Sequence, residues 1–136
     1  MQPTQKHTLG KSERLKSRKQ IDALFSGGKS FSLFPFRVMY VLLPVSEGNP
    51  SSIQAGFSVS TRYFKKAVDR NRVKRLLRET YRLQKNPLQE ALNKSGLQLH
   101  VFFLYVNGTL PQYDALHEKM KAAIHRLIKI STHEQP

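Results

Sequence analysis

Between Arg62 and Lys85 the chain sets ten cations against two acids, Asp69 and Glu79, a net charge of +8 in 24 residues. An apolar line runs through this charge at helical spacing. At 100° per residue with Arg70 at zero, Lys74, Arg78, Arg82 and Arg75 fall at about 40° to 140°. Leu83, Leu76, Thr80, Val73 and Leu77 fall on the opposite arc, at about 220° to 340°, with Arg72 on the border near 200°. The spacing predicts a helix from about Val68 to Lys85, ended near Asn86-Pro87, with one face sealing a core and the other cationic. An ordinary solvated helix face mixes Glu with Lys; the five members of this outer arc include no acid. Arg dominates it, and its planar fork matches paired phosphate oxygens.

The flanking segments supply the core that such a helix needs. Ile53–Ser60 alternates, with Ile53, Ala55, Phe57 and Val59 on one face and Gln54, Gly56, Ser58 and Ser60 on the other, which predicts a half-buried strand. Leu97–Val106 is apolar on both faces and reads as a central strand covered on each side. Phe31–Val45 reads as one strand, bent or broken at Pro35, with Phe36, Val38, Tyr40 and Leu42 sharing a face. A loop follows at Ser46–Ser52. Ser17 caps a short helix carrying Ile21, Leu24 and Phe25, which Gly27-Gly28 ends through a left-handed residue. Leu88–Lys94 adds a turn of helix before Gly96. A last helix, about Tyr113 to Ile130, aligns Leu116, Met120, Ala123, Leu127 and Ile130. The order is α-β-β-α-β-α, an α/β (α+β) two-layer sandwich with a βαβ unit over residues 53–106. General handedness rules make that crossover right-handed.

A length of 136 residues fits one domain, and 39% apolar residues fit a globular one. We divide the chain into a flexible basic arm at 1–16, a single domain at 17–131 and a tail at 132–136. The absence of cysteine excludes disulfides and thiolate chemistry. Met1–Lys6 has no apolar stretch suited to a secretory signal, and no apolar run approaches the ~20 residues of a membrane helix. The formal charge of +14 points to a polyanionic partner, nucleic acid rather than a membrane surface.

The stretch Ala67-Val68-Asp69-Arg70-Asn71-Arg72-Val73-Lys74-Arg75-Leu76-Leu77-Arg78-Glu79 resembles the protein subunit of bacterial ribonuclease P. The Arg-Asn-Arg core followed by Lys-Arg and Arg-Glu carries the likeness. The strand Gly56-Phe57-Ser58-Val59-Ser60 and the opening helix ending in Phe25 and glycine extend it over about residues 9–130. The resemblance implies a small basic protein, cytoplasmic, that joins a catalytic RNA and assists endonucleolytic removal of the 5′ leader from precursor tRNA. It also implies a fold class shared with a ribosomal protein domain and a left-handed βαβ crossover, against the general rule; we side with the family. Docking on the catalytic RNA carries over to Arg70, Asn71, Arg72, Lys74, Arg75 and Arg78, and charge extends the surface to Arg62, Lys65, Lys66 and Arg82. A leader cleft carries over to Ile21 and Phe25 on the first helix and Tyr40 on the sheet. Two departures stand out: Ile21 occupies a position that is often aromatic, and the link Thr61-Arg62-Tyr63-Phe64-Lys65-Lys66 is one residue longer and lacks a glycine.

The residues offer no catalytic site of their own. His7, His100, His117, His125 and His133 have no metal-ligand spacing, and there is no Gly-x-x-x-x-Gly-Lys-Ser/Thr phosphate loop. Asp114 and Glu118 form the one acidic pair at helical spacing, placed to complement a helix dipole. We assign no catalytic residue, no protein metal site and no small-molecule substrate; Mg²⁺ is expected to be held mainly by the RNA partner. The competing readings are a structural RNA-binding protein of ribosomal type and a stand-alone metal-dependent nuclease.

Overall fold

The computed structural model describes residues 14–15, 17–45 and 53–133. The expected loop at Ser46–Ser52 and most of the expected arm and tail lie outside the described residues. The elements are α1 (Arg18–Gly27), β1 (Lys29–Leu33), β2 (Phe36–Pro44), β3 (Ile53–Val59), α2 (Ala67–Arg82), α3 (Asn86–Ser95), β4 (Leu97–Tyr105) and α4 (Tyr113–His133). They form one four-stranded sheet in the order β1-β2-β4-β3. β2 is antiparallel to both β1 and β4, and β3 runs parallel to β4. The mixed α+β class stands, with two elements more than expected.

The first addition comes from Phe31–Val45. Pro35 does not bend one strand; the chain reverses at Phe34-Pro35, and Leu33 pairs with Phe36 across a two-residue turn. A β-rich run containing a turn residue is as compatible with a hairpin as with a kinked strand, and cross-strand pairing decides between them. The second addition to that order is α3, where the turn of helix expected at Leu88–Lys94 before Gly96 is found as part of a helix of 10 residues. Asn86-Pro87 opens this helix rather than merely closing α2, because Pro at a first-turn position lacks only an N–H that has no partner there anyway. Gly96 ends it in the left-handed region at φ 69°.

β4 lies between β2 and β3, so both of its edges are paired, and helices packed on either side of the sheet cover both of its faces, as its composition predicts. The pleat sorts its residues. Leu99, Val101, Phe103 and Tyr105 join Phe36, Val38, Tyr40, Ile53, Ala55 and Val59 on the side that receives α2, α3 and α4. Phe102 joins Met39, Leu24 and Leu15 on the other side, where α1 packs. On the large side Tyr81 and Phe57 both pack on Phe103, at 5.6 and 5.5 Å between centroids, and Phe36 meets Phe103 edge-on at 5.9 Å. This aromatic cluster anchors the C-terminal half of α2 to the sheet.

Ser17 caps α1 as expected, accepting a hydrogen bond from the Gln20 N–H at 3.3 Å. The helix ends differently: Gly28 has φ −82°, so no left-handed residue closes it. Glycine is needed there for space. A Cβ at Gly28 would lie 2.7 Å from the Leu24 carbonyl oxygen and 3.0 Å from that of Tyr40. Arg14 and Leu15, assigned to the flexible arm, are seated on the sheet: the Leu15 N–H donates to the Ala55 carbonyl at 2.9 Å, and the Leu15 side chain is buried.

Candidate nucleic-acid interface

α2 begins at Ala67, with Lys66 as the residue before it and Asp69 in its first turn, where a carboxylate complements the helix dipole. Its buried residues are Val73, Leu77, Thr80 and Tyr81. Their mean direction lies about 50° round from the arc expected from sequence, because the bulky Tyr81, at about 20°, is pulled into the core. Leu83, expected on the apolar face, lies beyond the helix and is 37% exposed. This rotation redistributes the cations. Arg72, on the border by sequence, is exposed, together with Asn71, Arg75 and Arg78. Lys74 and Arg70 become half-buried at the edge of the core.

Two of the expected RNA-binding arginines have internal partners. The Arg70 guanidinium donates from Nη1 to the carbonyls of Phe64 at 2.7 Å and Lys65 at 2.9 Å, tying the link to the helix it precedes. Arg82 forms a two-pronged pair with Glu79, Nη2 to Oε2 at 2.6 Å and Nε to Oε1 at 3.3 Å. The hydrogen bond from Arg82 holds the Glu79 carboxyl below its ordinary value. The cationic face therefore centres on Arg72, Arg75 and Arg78, none of which takes part in an ion pair among the described residues. Arg62, Lys65 and Lys66 of the link are all exposed beside it. The link is held by Phe64, which is buried and packs on Tyr105 at 6.2 Å.

The expected cleft residues are not brought together. Ile21 and Phe25 lie on α1, and Phe25, 55% exposed, meets Phe102 edge-on at 5.5 Å. Tyr40 points to the opposite side of the sheet, buried against Phe31 at 6.1 Å between centroids. Period-two alternation forces this split. Once Met39 faces α1, Tyr40 must face the other helices. The sheet surface on the α1 side is instead built from Met39, Val41, Phe102 and Leu104, with Arg37 placed on that side by the same alternation and exposed. The sequence signal that finds Phe102 is its phase relative to Phe103 in β4: one ring on each face.

Among the described residues no three His, Cys, Asp or Glu side chains converge to hold a metal ion, and no helix is long and apolar enough to cross a membrane.

Comparison with known proteins bears on this arrangement. The family model described as Ribonuclease P matches residues 9–128. The chain is similar to the ribonuclease P protein component of Porphyromonas gingivalis, with 38% identity over 119 residues covering 88% of this chain and 85% of that protein. It is also similar to that of Chlorobium phaeobacteroides, with 32% identity over 130 residues covering 89% and 88%. Among solved structures, the RNase P protein from Thermotoga maritima shares the fold with a TM-score of 0.64 at 21% identity, covering 84% of this chain and 96% of that one. The Staphylococcus aureus RNase P protein does so with a TM-score of 0.56 at 21% identity, covering 88% and 94%. With a family model spanning most of its length and relatives above 30% identity, the chain belongs to the ribonuclease P protein-component family.

Proposed function

We propose that this chain is the protein subunit of a cytoplasmic ribonucleoprotein ribonuclease. The outward face of α2 docks on a catalytic RNA, and the α1 side of the sheet receives the single-stranded 5′ leader of precursor tRNA. The observation that carries the reading is the exposed row Arg72, Arg75 and Arg78, backed by the buried Val73, Leu77, Thr80 and Tyr81. Guanidinium groups without carboxylate partners, mounted on a helix packed against aromatic rings, meet phosphates with little reorganisation. On the other side of the sheet, Phe25 supplies an exposed aromatic ring that a base can stack on, and Arg37 supplies a cation for the strand's backbone.

The protein's part is positional. Neutralising phosphates of both RNAs lowers their mutual repulsion and fixes the scissile bond relative to the catalytic RNA. In this reading Mg²⁺ is held mainly by the RNA partner, and no step is assigned to the protein's side chains.

The test is reconstitution. With at least six phosphate contacts, from Arg72, Arg75, Arg78, Arg62, Lys65 and Lys66, log K against log salt should fall with a slope of about −4 or steeper. The protein should also lower the Mg²⁺ needed for cleavage of leader-bearing tRNA by the RNA. A slope shallower than about −2 overturns the docking surface. No effect on cleavage points to a structural RNA-binding role, and cleavage by RNA-free protein points to a stand-alone nuclease.

A further inference from the structure

The outward face of α4 carries a second concentration of cations that the docking surface on α2 does not include. From Lys119 to His133 the sequence contains Lys119, Lys121, Arg126, Lys129 and two histidines, and no acid. With Lys121 at zero, His125, Lys129 and Arg126 fall at about 40°, 80° and 140°. The buried Leu116, Met120, Ala123, Ile124 and Leu127 occupy about 200° to 300°. Lys121, His125 and Lys129 follow at four-residue intervals, a rise of about 6 Å per step, comparable to the span between successive phosphates of an extended strand.

Three structural observations make this more than a solvated helix end. The Arg126 guanidinium lies 4.4 Å from the centroid of the Phe31 ring, which presents the cation on the protein surface in a held position. Lys121, Arg126 and Lys129 take part in no ion pair among the described residues, even though Glu118 stands three residues before Lys121. Two concavities adjoin at His125. One, about 310 Å³, lies between α4 and the α2–α3 connection and is walled by Leu83, Pro87 and Ile124, with Lys121 and His125 on it. The other, about 430 Å³, opens over Ala122 between His125, Arg126 and Lys129. Apolar walls beside a row of cations suit an unpaired nucleotide, base against the walls and phosphates on the rim.

We infer that α4 binds a further single-stranded stretch of the same RNA that docks on α2. The inference rests on that docking reading. Continuity supports a single RNA: Gln84, just past α2, donates from Nε2 to the carbonyls of both Thr80 on α2 and His117 on α4 at 3.1 Å. The smaller concavity lies at this junction, so a strand leaving the end of α2 meets the cations of α4 directly.

The experiment compares salt dependence for the full chain bound to its catalytic RNA in three forms: unaltered, Lys121→Gln with Lys129→Gln, and Arg75→Gln with Arg78→Gln. Both pairs are exposed, and circular dichroism checks folding. Each double variant should reduce the slope by about 1.4 to 1.8. Lys94→Gln on α3, an exposed cation that belongs to neither proposed surface, should change it by less than about 0.3. An unchanged slope for the α4 pair alone overturns this inference and leaves docking on α2 standing; unchanged slopes for both overturn the two together. Because the chain has no cysteine, His125→Cys gives one attachment point for a hydroxyl-radical probe. Localised strand scission is expected, and its absence refutes the contact.

Discussion

Gly56→Val tests the sheet surface beneath α1 most directly. A Cβ at Gly56 would meet Cδ1 and Cε1 of Phe102 at 2.6 and 2.8 Å, roughly 1 Å short of an ordinary carbon contact of ~3.5–4.0 Å. The ring cannot retreat freely, because Leu15, Leu24 and Met39 enclose it and Phe25 abuts it. Valine adds two further methyl groups to that clash. Overpacking of this kind costs about 3 kcal/mol, offset by about 1 kcal/mol from replacing glycine in a strand. The expected net loss is about 2 kcal/mol, a fall in Tm of roughly 8 °C for a chain this size. Thermal and urea unfolding should be measured for Gly56→Val, Phe102→Leu and the double variant. Removing the ring relieves the clash, so the two substitutions should couple favourably by about 1 kcal/mol or more. A Gly56→Val protein within about 0.5 kcal/mol of the unaltered chain, or strictly additive losses, would falsify the packing described for this face.

Other outcomes follow from the same geometry. Arg70→Gln should cost about 1.5–3 kcal/mol in the absence of RNA, because two link carbonyls lose a charged donor, whereas Arg75→Gln should change stability by less than about 0.5 kcal/mol. Equal effects in urea titrations would rule out the link-tying role. Burial holds the His100 imidazole below its ordinary value of 6.5, so as pH falls below that value the unfolded chain takes up the proton first. Stability should therefore decline from about pH 6.5 downwards until the folded-state value is passed, and His100→Gln should flatten this decline. An identical pH profile of urea midpoints in the variant would count against it. Phe25→Ala should weaken leader-bearing tRNA by about 1–3 kcal/mol relative to mature tRNA, while Tyr40→Leu, compared where it remains folded, should leave that ratio unchanged. Loss of leader discrimination on altering Tyr40 alone would return that residue to the cleft.

What could be read from the residues has a periodic or local cause. The alternation of Ile53–Val59, the two-sided apolar run of β4, the Ser17 cap and the stripe of α4 each follow from sterics or hydrogen bonds within a few residues. So does the opposition of cations and apolar side chains along α2, and the Arg-Asn-Arg segment carries the family likeness in the same local way. The tertiary structure decided what depends on distant partners. Tyr81 rotates α2 by docking on Phe103 from another element, exposing Arg72 and drawing Arg70 onto the link carbonyls. α1 covers the face carrying Met39 and Phe102, and so separates Phe25 from Tyr40. Alternation along a strand states which side chains share a face, but the identity of the helix that covers each face is settled only when all the elements compete to bury their apolar surface together.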